Sequence, residues 1–103
     1  MAEANQEAVF VNVIEVDEAR YPQLIEVLKE GNDSVIRQRD GFISCLIVAS
    51  PDRSRVITVA RWKSADAIKR VGSDPVVAEY VKRTAALAKA NPALFTVVAE
   101  YWP

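Results

Sequence analysis

Three short runs of this sequence, Val9–Val16, Phe42–Ser50 and Leu94–Trp102, carry apolar residues on both of their alternating faces. In the first, Phe10, Ile14 and Val16 share a parity with Asn12, while Val9, Val11 and Val13 share the other with Glu15. The second sets Phe42, Leu46 and Val48 against Ile43, Cys45, Ile47 and Ala49, and the last sets Leu94, Val98 and Trp102 against Phe95, Val97, Ala99 and Tyr101. Strands of this kind need cover on both sides. A chain of 103 residues buries only about two-thirds of its unfolded surface, so one layer of helices is all it can supply.

The segments between the strands provide that layer. Pro22 suits a first helical turn, and Tyr21, Leu24, Ile25, Leu28, Val35 and Ile36 recur at three- and four-residue spacing, which predicts an amphipathic helix reaching to Arg39. Gly31 inside it costs about 1 kcal/mol relative to alanine, which points to a bend or a close contact there. Arg55–Trp62 pairs with Phe42–Ser50 as a hairpin across Pro51-Asp52-Arg53-Ser54. Ser64 caps a short helix, and Gly72-Ser73-Asp74-Pro75 restarts another that presents Val77, Tyr80, Val81, Thr84 and Leu87. Pro92 is expected to end that helix before the last strand. The order is β-α-β-β-α-α-β: an α+β, ferredoxin-like antiparallel sheet with its helices on one face. The uncovered face is larger than the apolar patches monomers expose, so a homodimer closing sheet on sheet is expected. Residues 1–103 read as a single domain, with 1–8 as a flexible N-terminus.

Composition narrows the chemistry. The chain has no histidine, one cysteine (Cys45) and three scattered glycines. Imidazole and thiolate metal sites, Cys-His pairs, disulfides and glycine-rich nucleotide loops are therefore not expected; only an all-oxygen metal site would remain, and no metal or cofactor is expected. Thirteen basic against 14 acidic residues leave a charge of −1, so no nucleic-acid footprint is present. The N-terminus lacks a signal-peptide pattern, no run reaches the ~20 apolar residues of a membrane span, and a cytoplasmic location is expected.

Asn12 interrupts an apolar face. It either satisfies a neighbouring backbone group or anchors a ligand in an apolar pocket. Trp62 shares a face with Thr58 and offers a flat surface and an indole donor to an aromatic ligand, or else fills the core. Tyr80 stands on the apolar stripe of the last helix, as a core aromatic or a phenol in the same pocket. Glu15 and Glu100 fall on the expected dimer face, where Arg61 can pair with one of them.

With this topology, Gly41-Phe42-Ile43-Ser44, Ala49–Asp52, Arg61-Trp62-Lys63-Ser64 and Ser73-Asp74-Pro75 resemble stretches of the antibiotic biosynthesis monooxygenase family, small proteins that form dimeric α+β barrels. The resemblance covers nearly the whole chain and is closest to the actinorhodin-pathway type. It implies a cofactor-independent monooxygenase that oxidises a small aromatic, polyketide or quinol substrate with dioxygen. Trp62 matches the tryptophan of that type, whereas its asparagine and tyrosine positions hold Thr58 and Ile68. The resemblance thus makes Trp62 and Asn12 the catalytic candidates and Thr58, Tyr80, Ile68 and Phe42 the substrate-binding ones. Family members that degrade haem carry an asparagine at the position of Asn12, but their histidine position is most nearly Tyr80, so haem degradation is not expected. The competing expectation is a non-oxidative protein of the same fold that binds a hydrophobic metabolite or acts as an isomerase or cyclase.

Overall fold

The computed structural model describes residues 6–103. Ala8–Glu15 forms β1. Asp17 turns the chain: its carboxylate accepts from the Arg20 N–H at 2.8 Å and its carbonyl from the Tyr21 N–H at 3.1 Å, which satisfies donors at the start of α1, Tyr21–Ser34. The helix stops earlier than its apolar periodicity predicts. Val35 leaves helical geometry at φ −126°, and Ile36–Gln38 continues as a 3-10 turn.

Phe42–Ala49 (β2) and Arg55–Trp62 (β3) pair as the expected hairpin. At its tip the Asp52 carboxylate accepts from the Ser50 hydroxyl at 2.7 Å, the Ser54 hydroxyl at 2.7 Å and the Ser54 N–H at 3.0 Å. Ser64 caps α2 (Ala65–Gly72) by accepting from the Ala67 N–H, and Asp74 caps α3 (Pro75–Leu87) by accepting from the Val76 N–H at 2.9 Å. Asp74 also ion-pairs with Arg39 at 2.8 Å, tying the end of the first helical segment to the start of α3.

The last strand begins earlier than expected. β4 spans Lys89–Thr96, with Pro92 inside it rather than ahead of it. The sheet order is β2-β3-β1-β4, all neighbours antiparallel, so β4 is an edge strand, where a residue without an N–H is tolerated. Val97–Trp102 continues beyond the sheet, with Val98, Tyr101 and Trp102 at least 80% exposed. The expected flexible stretch 1–8 also needs correction. Residues 1–5 lie outside the described residues, but Glu7 ion-pairs with Arg61 and Ala8 is a buried member of β1.

Helices pack on one face of the sheet. Ile14, Val16, Leu24, Leu28 and Val56 form one buried cluster, and Ile36, Ala60, Trp62, Ala67 and Val77 form a second. A β-bulge between Phe42 and Ser44 breaks the expected parity at the start of β2 alone: Phe42 joins Cys45 and Ile47 on the helix side, while Leu46 and Val48 keep the other. Gly41, just before it, takes φ +90° with the Ala67 Cβ 2.6 Å from where its own Cβ would stand, so both backbone and space require glycine. The other face carries Val9, Val11, Val13, Ile57 and Val59, flanked by exposed Leu46, Val48 and Phe95. There Arg61 pairs with Glu7 and Glu100, the latter at 3.2 Å, while Glu15 lies opposite Arg55 and Lys89 at the far end.

The hydroxyls of Ser54 and Ser50 hold the Asp52 pKa down at about 2, below its ordinary 3.8. A carboxylate depressed in the folded state adds stability above its unfolded pKa and loses it as the pH falls through the folded one. Asp52→Ala is therefore expected to unfold at lower urea than wild type at neutral pH, with the difference shrinking between about pH 4 and pH 2. A difference that stays constant over that interval would contradict the assignment.

Candidate functional site

Between the two core clusters lies a cavity of about 220 Å³. Its floor is the helix-facing side of the sheet: Phe10 and Asn12 from β1, Thr58, Ala60 and Trp62 from β3, and Cys45 from β2. Asn12 and Thr58 are direct register partners. Its roof comes from α1 with Leu28 and Asn32, from α2 with Ile68 and Val71, and from α3 with Val77, Tyr80, Val81 and Thr84. None of the lining side chains is one that carries a charge at neutral pH. An apolar cavity of about 150 Å³ admits benzene, so this one has room for a body of one or two fused rings.

Tyr80 holds the roof in place. Its ring packs against both core clusters, and it lies so close to α1 that a Cβ built on Gly31 would stand 2.0 Å from its Cε1. The glycine that weakens α1 is thus the seat of the Tyr80 ring. Burial, with the nearby Cys45 adding to it, pushes the Tyr80 phenol up to about 12. Burial likewise raises the Cys45 thiol. At neutral pH both groups stay protonated and can only donate or accept hydrogen bonds.

Trp62 is 3% exposed. It belongs to the core cluster and the cavity wall at once, so the two readings of this residue coincide. Phe42 meets it edge-on, with ring centroids 5.4 Å apart at 86°. Phe42 is not among the lining residues; it stands behind Trp62 and fixes the plane of the indole. Asn12 accepts from the Asn91 N–H at 3.0 Å through Oδ1, beside Pro92, which has no N–H to offer. Its backbone role and its place in the cavity coexist, because the bond uses only one end of the amide.

The fold brings Asn12, Thr58, Trp62, Ile68 and Tyr80 together around one space. Sequence reasoning passed over Asn32, Cys45 and Thr84 as lining residues. Asn32 follows Leu28 by one helical turn and Thr84 follows Tyr80 by another, so a polar residue in phase with an apolar stripe was the available signal.

A Cβ at position 31 forces the Tyr80 ring to move, an overpacking cost of about 1–3 kcal/mol that exceeds the ~1 kcal/mol an alanine returns in helix propensity. Gly31→Ala is expected to destabilise the wild type in urea melts, and to stabilise a Tyr80→Ala background by about 1 kcal/mol. The same cost in both backgrounds would show that the ring is not the obstacle.

A family profile described as antibiotic biosynthesis monooxygenase matches residues 8–83. The monooxygenase from the gene ActVA-Orf6 of Streptomyces coelicolor, solved in complex with nanaomycin D, is similar at 28% identity with a TM-score of 0.85, over 96% of this chain and 94% of that one. A mutant of SnoaB, a cofactor-independent oxygenase from Streptomyces nogalater, is similar at 22% identity and a TM-score of 0.85, over 92% and 96% of the two chains. A conserved protein of unknown function from Bacteroides thetaiotaomicron gives 21% identity and a TM-score of 0.82, over 91% and 100%. The latter two likenesses concern the fold alone. None of the curated proteins matches the chain.

Proposed function

Because the chain belongs to the antibiotic biosynthesis monooxygenase family, we propose that its cavity binds a small neutral phenol or quinol and promotes its oxidation by dioxygen. The observation that carries this reading is the lining itself: an apolar space with a flat indole on one wall, isolated hydroxyl and amide groups, and no ionised side chain. A phenol with a free para C–H takes up one O₂, becomes the para-quinone and releases one water, so the substrate supplies all four electrons. The protein's part is to exclude water, stack the ring and hold its oxygen. In this reading Trp62 sets the ring plane, Asn12 and Thr58 meet the ring from the floor, and Tyr80 and Ile68 close the roof.

No cavity group has a pKa near neutrality that would make it a base for the phenol. The reactive phenolate must therefore form by loss of the substrate's own proton to water. Oxygen uptake with naphthol or dithranol substrates is expected, with a rate that rises with pH around the pKa of each substrate rather than at one fixed value. Trp62→Phe, which keeps an aromatic core residue but removes the indole, is expected to lower the rate by about tenfold or more with an unchanged circular dichroism spectrum. No oxygen uptake across such a panel would overturn the oxidative reading.

Thr58 and Ile68, standing where the resemblance expects asparagine and tyrosine, together with the missing base, favour one second reading: a non-oxidative metabolite binder, isomerase or cyclase. Ligand binding without oxygen consumption selects it.

We also propose that a second copy covers the outer face of the sheet, because Val11, Val59 and Leu46 lie side by side across β1, β3 and β2 with no helix over them. Sedimentation is expected to give twice the 11.4 kDa chain mass. Val59→Glu, at the centre of that face, is expected to shift the protein to monomer, since it buries an unpaired charge in any sheet-on-sheet contact. A wild type that sediments as a monomer at micromolar concentration rules this out.

A further inference from the structure

An asparagine amide only donates through its nitrogen and only accepts through its oxygen, so one backbone partner fixes which way each end points. Asn32 Nδ2 donates to the Leu28 carbonyl at 2.8 Å. A carbonyl can only accept, so the amide nitrogen is committed to the helix and Oδ1 is turned away from it. Asn12 is committed in the opposite sense: Oδ1 accepts from the Asn91 N–H at 3.0 Å, and Nδ2 is turned away from β4. Both residues line the cavity, one in the roof and one in the floor. Among the described residues, Asn32 Oδ1 and Asn12 Nδ2 make no further hydrogen bond. Neither atom is sealed from solvent, so each is open to a partner that enters the cavity.

We propose that Asn32 is a specificity-determining residue whose Oδ1 accepts a hydrogen bond from a ligand hydroxyl, while Asn12 Nδ2 donates to a ligand oxygen at the floor. The inference rests on the cavity being the binding site. It defines the ligand as a neutral, flat molecule with a free hydroxyl at its roof end and a carbonyl or similar acceptor oxygen at its floor end. A carboxylate has no counter-charge anywhere in the lining and is disfavoured at either end. An ether in place of the hydroxyl leaves the Asn32 oxygen desolvated and without a partner.

6-Hydroxy-1-tetralone and 6-methoxy-1-tetralone carry this pattern with and without the hydroxyl proton, and their affinities can be compared by calorimetric titration. Wild type is expected to bind the hydroxy compound about tenfold more tightly, the scale of one hydrogen bond gained and one buried acceptor left unpaired. Asn32→Leu, close in size but without the acceptor, is expected to bind the two within about twofold of each other. Asn32→Ala, which also lacks the acceptor and is a strong helix former, is expected to level the two affinities in the same way and serves if the leucine variant does not fold. A preference that survives Asn32→Leu or Asn32→Ala overturns the assignment, as does equal affinity in the wild type. Failure of the wild type to bind either compound overturns the cavity as the binding site, and this assignment with it.

Discussion

The Tyr80 ring occupies the place where residue 31 would carry a Cβ, and the cavity depends on that approach. Helices α1 and α3 cross there on a single aromatic ring that touches both buried clusters. Were residue 31 any larger, the ring could not keep this place against α1, and the roof of the cavity would change with it. The penalty glycine brings to a helix is therefore the condition for an enclosed apolar volume in so small a chain. Trp62, set by the edge of Phe42, is the corresponding fixed wall on the sheet side. Between these two rings the core of a small domain is divided in two, and the space that remains is shaped by parts that have little freedom to collapse into it.

Electrostatics shape the same volume. Every lining group is neutral near pH 7, since burial moves the two titratable ones, Tyr80 and Cys45, away from ionisation. Such an environment strengthens each hydrogen bond formed in it and penalises any charge that enters alone. It suits reactions in which charge forms on the substrate only at the moment of reaction and is spread over an aromatic system. Family membership is consistent with this, but the side chains at positions 58 and 68 make this cavity less polar than the resemblance anticipates.

Much of this was legible in the chain. Alternation marked three of the strands, Ser64 and Asp74 announced their helices by cap chemistry, and the two-sided apolar pattern identified an open sheet face. The misplaced features share a cause. Pro92 reads as a helix stop, and only the strand order, which puts β4 at the edge, explains why a sheet tolerates it. Phe42 was grouped with Leu46 and Val48 instead of Cys45 and Ile47 because a bulge leaves no mark on apolar alternation. At the site, Asn12, Thr58, Trp62 and Tyr80 were visible as polar or aromatic departures from apolar stripes. Asn32 was not singled out, although it follows Leu28 by one helical turn, because a lone polar residue on an exposed-looking Gly-Asn-Asp-Ser stretch carries no departure from an apolar run. Nor does sequence reveal that an amide has already committed one of its ends to the backbone.

Arg61 gives the outer face a different significance. Its guanidinium holds Glu7, which precedes the first strand, and Glu100, which follows the last. The stretches that flank the sheet therefore converge on one side chain, and the path of the chain from β1 to β4 comes back close to where it began. A linker between these stretches would join them with little strain, and the exposed Pro51–Ser54 turn offers a place to open the chain instead. The order in which the strands are synthesised would then change while the cavity walls kept their neighbours.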